Sequence, residues 1–189
     1  MNTNAGSKIY QTVLCGLFAA IIAVCSWISV PIPPDIPFTM QTFAVFCALG
    51  ILGGGYGTAA ILTYILVGAI GVPVYAEFTG GLGILFGSTG GYFAGFIFSG
   101  LIYWAITKIF GQKLPVQIIA MTVGMIVCYA LGTAWFVFVT AKDGGAVGFV
   151  SALTLCVVPY IIPDAVKISL AIVVSRRFSK YVRREKQTA

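Results

Sequence analysis

The chain has 189 residues, of which 59% are hydrophobic and 8% are charged, and its formal net charge is +6. A soluble domain carries about 25% charged residues, so this composition cannot cover a surface that faces water. It excludes a soluble enzyme, a disordered tail and a nucleic-acid-binding protein, and it predicts an all-α integral membrane protein that contacts the lipid bilayer. Histidine is absent, which removes the commonest metal ligand and general base. We therefore expect no metal, no cofactor and no enzymatic activity.

Apolar segments recur along the chain, and we predict one transmembrane helix for each of six. A single membrane domain over residues 1–189 would contain them, with residues 176–189 as a basic cytoplasmic tail. Prolines make residues 30–37 an extended loop, and the glycine-rich residues 71–89 read as a loop folded back on the helices. The predicted spans are residues 9–30, 39–52, 56–70, 90–110, 114–139 and 149–175, the last one bent by prolines.

Charge is distributed unevenly between the two ends of these six spans. With an even number of spans the termini share one side, and that side holds nine of the eleven basic residues. The opposite side holds Lys142 and three of the five acids, Asp35, Glu77 and Asp143. The excess of positive charge predicts that both termini are cytoplasmic. The nine basic residues are Lys8, Lys108, Lys113, Arg176, Arg177, Lys180, Arg183, Arg184 and Lys186.

Two long loops, residues 30–39 and 71–89, then share the outer face with the short turn at residues 140–145. Loops held on a rigid scaffold are common places for binding sites, so we expect a ligand pocket that opens outward. The alternative is that these loops only cap the helix bundle.

Asp164 and Lys167 lie three residues apart inside the last apolar segment. This spacing on a helix puts both side chains on one face. Charges at membrane depth are costly, so they face the interior, pair with each other or meet a ligand. A purely structural ion pair is the alternative, but desolvation makes such a pair a poor stabiliser. Pro159 and Pro163 free backbone carbonyls nearby, and together these features favour a polar ligand site.

Glycines are dense between Gly80 and Gly91, but no Lys-Ser or Lys-Thr follows them, which excludes a phosphate-binding loop. They are better explained as places where the backbone approaches a ligand or another helix. Thr89 or Ser88 would cap the next helix. Tyr92, one turn into that helix, would lie near the pocket floor or belong to the ordinary core.

Small residues repeat every four positions in the first span. Cys15, Ala19 and Ala23 form one such row, and Gly16 and Ala20 form another. Rows of this kind let a second helix come close. The partner is either one of the chain's own helices or a separate membrane subunit, and the spacing alone leaves both open.

Three motifs resemble the BioY family, the biotin-binding S components of energy-coupling factor (ECF) transporters. The run GVPVYAEFTGGLGILFGSTGGYFAGF, residues 71–96, is similar to that family's signature. The run PIPPDIPFTMQT, residues 31–42, resembles its first outer loop and second helix, and PDAVK, residues 163–167, resembles its last-helix motif. The three keep their order along nearly the whole chain. At Glu77 and Phe78 this sequence departs from the small residues that the family often has.

The resemblance implies six helices that capture biotin at the outer face of a prokaryotic plasma membrane. The chain would dock on a transmembrane coupling subunit and two ATPase subunits, because it has no ATP-binding motif of its own. Docking would use Ala19 and Ala23, preceded here by Cys15. A biotin site needs acceptors for two ureido N–H groups, a donor for the ureido carbonyl, apolar walls and a partner for the carboxylate. The candidates are Asp164, Lys167, Gln41, Thr79, Gly80, Gly81, Glu77, Tyr92, Tyr160 and Trp135.

Asp164 would accept from the ureido N–H groups, and Lys167 would donate either to the ureido carbonyl or to the ligand carboxylate. Other functions remain open at this point. A stand-alone carrier would use Asp164 and Lys167 as an ion or proton relay. An intramembrane enzyme would need a base, nucleophile or metal set that the sequence lacks. A structural subunit would leave the charged pair and the outer loops without a role.

Overall fold

The computed structural model describes residues 3–31, 36–142 and 148–188. Those residues form eight α-helices, a 3-10 turn at Ala76–Phe78 and two short antiparallel strands, β1 (Ser29–Val30) and β2 (Phe38–Thr39). The all-helical class is the one predicted. The helices are α1 (Thr3–Trp27), α2 (Gln41–Leu52), α3 (Gly54–Ala69), α4 (Leu82–Phe86), α5 (Gly90–Phe110), α6 (Leu114–Lys142), α7 (Phe149–Cys156) and α8 (Val158–Thr188).

Four helices, α1, α5, α6 and α8, contain stretches long and apolar enough to cross a membrane. Helices α2 and α3 are apolar but have only 12 and 16 residues. At a rise of about 1.5 Å per residue, α2 is about 18 Å long, short of a bilayer core of about 30 Å. Two of the six predicted spans therefore fall below the length that one helix needs to cross alone.

The last predicted span, residues 149–175, is two helices and not one bent helix. Val157 leaves the helical region (φ −124°, ψ −51°), and α8 starts immediately after it. Pro159 then lies in the first turn of α8, where a missing N–H costs no helical hydrogen bond. Helix α8 continues to Thr188, so the segment predicted as a basic tail is helical over residues 176–188. Asp143, in the predicted outer turn, lies outside the described residues, as does Asp35.

Helix α2 is the centre of the bundle. Eleven of its 12 residues are buried, and it packs against α8, α3 and α1. A Cβ placed on Gly50 would lie 2.3 Å from Ser175 Oγ of α8, so only glycine allows this approach. The close contact holds α8 against α2 and fixes the side of α8 that carries Asp164 and Lys167.

A second, smaller cluster of buried side chains lies outside the main core. It joins the chain just before β2 to α6, α7 and α8, through Ile36, Phe136, Ala152, Cys156 and Tyr160. The cluster brings the chain around residue 36 against the helix that carries the charged pair. The candidate site is built between this cluster and the glycine-rich residues 71–89.

Candidate ligand-binding site

A cavity of about 600 Å³ opens between the chain around Pro37, the glycine-rich residues 71–89 and the starts of α2 and α5. This volume lies in the range of cavities that hold small-molecule ligands. Most of its wall is apolar or aromatic, with a few polar side chains. The lining residues are Pro31, Ile36, Pro37, Thr39, Gln41, Tyr75, Ala76, Glu77, Thr79, Ile84, Ser88, Thr89, Tyr92, Phe93 and Phe96.

A smaller cavity of about 50 Å³ adjoins the first and shares Ile36, Tyr92 and Phe96 with it. Asp164 and Lys167 line this smaller space, with Tyr129 of α6 and Tyr160 of α8. We call it the floor, and we call the Ala76–Thr79 edge of the large cavity the mouth. A ligand in the large cavity therefore has the charged pair at one end of its space.

The charges of the floor are paired inside the chain. Asp164 and Lys167 are each 4% exposed, and Lys167 Nζ donates to Asp164 Oδ1 at 2.8 Å. The Tyr129 hydroxyl donates to Asp164 Oδ2 at 2.5 Å. Lys167 Nζ also donates to the Thr39 carbonyl at 2.7 Å and lies 3.8 Å from the centre of the Phe38 ring. An ion pair this deeply buried is stable only with such additional partners.

Tyr92 and Tyr160 form walls where the two cavities meet. Tyr160 donates its hydroxyl proton to the Ile36 carbonyl at 2.5 Å, which attaches the chain just before β2 to α8. The Tyr92 hydroxyl donates to the Cys156 carbonyl at 3.4 Å. The hydroxyl group of each tyrosine is therefore already hydrogen-bonded within the chain. The apolar faces of the two rings are suited to contact an apolar part of a ligand.

Gln41, the first residue of α2, lines the large cavity and is 6% exposed. Its side-chain Nε2 has no hydrogen-bond partner among the described residues. A buried amide donor without a partner costs free energy, so this group is suited to an acceptor on a ligand. Thr79 also lines the cavity, but its hydroxyl donates to the Ala76 carbonyl at 2.8 Å.

Glu77 lines the mouth, and its backbone and that of Phe78 lie in the left-handed region, at φ 57° and 56°. This conformation is unfavourable for residues other than glycine. Backbone hydrogen bonds close the turn, from Tyr75 N to the Thr79 carbonyl at 2.9 Å and from Thr79 N to the Ala76 carbonyl at 3.2 Å. The Phe78 ring stacks on Trp27 of α1, with 5.0 Å between ring centres.

Three of the candidates, Gly80, Gly81 and Trp135, are absent from the described linings of both cavities. Gly81 has φ +97°, and its N–H already donates to the Gly68 carbonyl at 2.7 Å. A Cβ on Gly80 would lie 2.4 Å from the Val72 carbonyl oxygen. Trp135 Nε1 donates to the Gly87 carbonyl at 2.8 Å. These three residues hold the glycine-rich segment in place, and their contacts lie within the protein.

The other end of the segment is held by a second indole, since Trp27 Nε1 donates to the Pro73 carbonyl at 3.0 Å. Ser88 and Thr89 line the cavity. Thr89 occupies the N-cap position of α5, as predicted, although it makes no side-chain capping hydrogen bond.

Sequence reasoning missed Tyr129, Phe38 and Thr39, all of which contact the charged pair. Tyr129 lies 35 residues from Asp164, so spacing along one helix could not connect them. The one available signal is a hydroxyl group in the middle of an apolar span, where a buried tyrosine needs a partner. The aromatic lining residues Phe93 and Phe96 carry no such signal.

The small residues of α1 divide between two faces. Cys15, Ala19 and Ala23 are buried, at 7%, 8% and 5% exposure, and the Cys15 thiol donates to the Tyr56 carbonyl of α3 at 3.3 Å. Gly16 and Ala20 are exposed, and a Cβ on Gly16 would meet nothing within 4 Å. The first row packs against the chain's own helices, which leaves the second row as the accessible one.

Comparison with known proteins gives a consistent result. The protein named "Biotin transporter BioY" from Thermotoga maritima is 36% identical over 172 residues, which cover 90% of this chain and 96% of that protein. "Biotin transporter BioY2" from Lactococcus lactis subsp. cremoris is 37% identical over 162 residues, covering 85% of each. A crystal structure of "the S-component for biotin from an ECF-type ABC transporter" superposes with a TM-score of 0.82 and 26% identity, covering 95% of each chain. The family model described as "BioY family" matches residues 1–184, and the chain belongs to that family.

Proposed function

We propose that this chain captures biotin at the outer face of the membrane and is the substrate-specific subunit of an ECF-type ABC transporter. The observation that carries the proposal is the large cavity that adjoins a fully paired Asp164–Lys167–Tyr129 floor. The relatives that are named as biotin transporters, and the similar S-component structure, support the choice of ligand.

The chemistry of the floor favours one orientation of biotin. The Asp164 oxygens are hydrogen-bond acceptors, so they suit the two ureido N–H donors of biotin, whereas the biotin carboxylate offers them no donor. A carboxylate accepts about four hydrogen bonds, and Tyr129 and Lys167 supply two of them. We therefore place the ureido ring towards the floor, the thioether ring between Tyr92, Tyr160 and Phe96, and the carboxylate tail towards the mouth.

Gln41 completes the site in this proposal. Its unpartnered Nε2 donates to the ureido carbonyl or to the ligand's tail. Lys167 acts through Asp164, because its ammonium group already holds Asp164, Thr39 and the Phe38 ring.

Transport further requires a membrane orientation and partners. We propose six spans with both termini cytoplasmic in a prokaryotic plasma membrane, because six spans would place Lys108, Lys113 and the basic end of α8 on one side. The partners are a transmembrane coupling subunit and two ATPase subunits. The accessible pair Gly16 and Ala20 on α1 is the proposed docking row.

Calorimetric titration of the ligand-stripped protein in detergent tests the binding function, with desthiobiotin and thiamin as comparison ligands. We expect saturable binding of biotin near one per chain without ATP, and no binding of thiamin. A folded protein that releases no heat with biotin, or that binds thiamin equally well, would contradict the proposal.

Uptake measurements test the docking row. Ala20→Trp should leave biotin binding unchanged and abolish uptake in cells that contain the ATPase module, because the new ring would hold the coupling helix away. Ile21→Trp changes an exposed position about 100° further around α1, away from the Gly16–Ala20 row, and serves as the control. Normal uptake by Ala20→Trp would remove this row from the interface, and uptake without the module would favour a stand-alone carrier.

Membrane-impermeant maleimide tests the orientation in whole cells. A cysteine at position 143 should be labelled without permeabilisation, whereas Gln112→Cys, in the exposed turn between α5 and α6, should be labelled only after it. The reverse pattern would invert the proposed topology.

A further inference from the structure

The charge on the wall of the large cavity differs from what free biotin requires. Among the described lining residues, Glu77 is the one that carries a formal charge at neutral pH, and it is negative. Its carboxylate makes no ion pair and accepts no hydrogen bond within the described chain. Glu77 is exposed at the mouth, so a ligand's tail that leaves the cavity there passes an unneutralised anion.

No described cation at the site is available to neutralise a ligand carboxylate. Lys167 lines only the floor, and it is 4% exposed and bound to Asp164 and the Thr39 carbonyl. The carboxylate of free biotin, oriented towards the mouth, would therefore meet repulsion from Glu77 with no compensating positive charge. A tail that ends in a cation would meet attraction instead.

The backbone at the mouth holds Glu77 in position. Glu77 and the next residue both have positive φ, and the turn is closed by the hydrogen bonds between Tyr75 and Thr79 and by the Phe78–Trp27 stack. Strained backbone persists where the surrounding structure enforces it, and it is frequent at ligand-binding sites. Contacts within the chain thus hold the backbone that carries Glu77 at the edge of the cavity, while its carboxylate stays accessible.

We infer that the site also accepts biotin amides that carry an ammonium group in place of the carboxylate, with Glu77 as the counter-ion that selects them. This inference rests on the proposed biotin-binding function and on the ring-inward orientation. It names Glu77 as a residue that determines specificity among biotin derivatives and assigns it no part in holding the ring system.

A ligand series with the same ring system and different tail charge provides the test. Biotin has a tail charge of −1, biotinamide is neutral, and the mono-amide of biotin with ethylenediamine carries +1. Each is titrated by calorimetry into the wild-type protein and into Glu77→Gln, which keeps the side-chain shape and removes the charge. Glu185→Gln, near the C-terminal end of α8, removes a different carboxylate and is the matched control.

We expect the ammonium amide to bind wild-type protein at least as tightly as biotinamide does. In Glu77→Gln, the dissociation constant of the ammonium amide should rise and that of biotin should fall, so that their ratio changes by about fivefold, the scale of exposed ion pairs. Biotinamide should change little. Raising the salt concentration should reduce the wild-type preference, since exposed charges are screened, and Glu185→Gln should behave as wild type.

Glu77→Gly is a second variant that also removes the charge, and glycine adopts the positive φ of this position without strain. If Glu77→Gln does not fold, the glycine variant still tests the inference. The inference is overturned if biotin binds but the ammonium amide does not, or if neither variant changes the ratio. Failure of all three ligands to bind a folded protein would instead refute the biotin function itself, so the two failures are distinguishable.

Discussion

The floor and the mouth of the cavity treat polar groups in opposite ways. At the floor, Asp164 and Lys167 are buried, and their charges are neutralised by each other and by Tyr129 and the Thr39 carbonyl. In the large cavity, the Gln41 amide nitrogen has no partner among the described residues, and at the mouth the Glu77 carboxylate is unpaired among them in a strained turn. The charges of the floor are thus paired without a ligand, although Asp164 can still accept further hydrogen bonds, whereas these two polar groups on the wall of the large cavity have no partner in the described part of the chain. We infer that the floor supplies a fixed binding point for the ligand's ring system and that the large cavity discriminates between ligands.

The largest expected effect comes from breaking the floor. Lys167→Met leaves the Asp164 carboxylate buried without its counter-ion and should lower the free energy of unfolding by about 3–5 kcal/mol, with loss of biotin binding. The double variant Asp164→Leu/Lys167→Met removes both charges and should recover most of that stability without recovering binding. Denaturant unfolding in detergent and calorimetry measure the two quantities. Full biotin binding by the double variant would show that the pair is purely structural.

A smaller effect is expected at Tyr129, which contacts the floor from α6. Tyr129→Phe removes the hydrogen bond to Asp164 Oδ2. It should lower the free energy of unfolding by about 1.5–3 kcal/mol, the usual contribution of a hydrogen bond to a charged group. Biotin affinity should fall in the same titration, because Asp164 loses the group that orients it. Tyr56→Phe, at a partly exposed position of α3 that lines neither cavity, is the control. Equal behaviour of the two variants would leave Tyr129 without a role.

The smallest effect on biotin binding is expected at Gln41. Its substitution should not lower stability, in contrast to substitutions at the floor. Gln41→Leu should weaken biotin binding by about fivefold, the scale of one neutral hydrogen bond, while stability stays equal or rises. Gln11→Leu is the matched control, because the Gln11 side chain is 3% exposed on α1 and its Oε1 also lacks a partner in the part of the chain that the structure describes. It should affect stability in the same way and leave affinity unchanged. A Gln41→Leu variant that binds biotin normally would exclude Gln41 from the site.

Periodicity and composition predicted most of the helices and the face shared by Asp164 and Lys167. They predicted one helix where Val157 separates α7 from α8, because a proline marks a local disturbance without showing whether a helix bends there or starts anew. The resemblance to the BioY family, which is based on long motifs in a fixed order, is confirmed by the family model that matches residues 1–184. The roles of the individual site residues remain predictions.

Contacts between distant segments account for what sequence reasoning did not find. Tyr129 reaches Asp164 only through the packing of α6 near α8, and Gly80 and Gly81 are occupied by contacts with residues 68–72. Trp135 was expected as a cavity wall, yet its indole N–H binds the Gly87 carbonyl. Each of these outcomes depends on a contact between segments that are far apart in the sequence. Such a contact cannot be read from the spacing of residues along one chain.

The two indoles that hold the ends of the glycine-rich segment have an optical consequence. The chain has three tryptophans; Trp27 and Trp135 bind carbonyls of Pro73 and Gly87, whereas Trp104 packs against Gly54. Indole emission responds to the polarity and hydrogen bonding around the ring, so two of the three emitters report directly on this segment. In a Trp104→Phe variant, all tryptophan fluorescence would come from Trp27 and Trp135. The rate of ligand binding could then be measured in a rapid-mixing experiment without an attached dye.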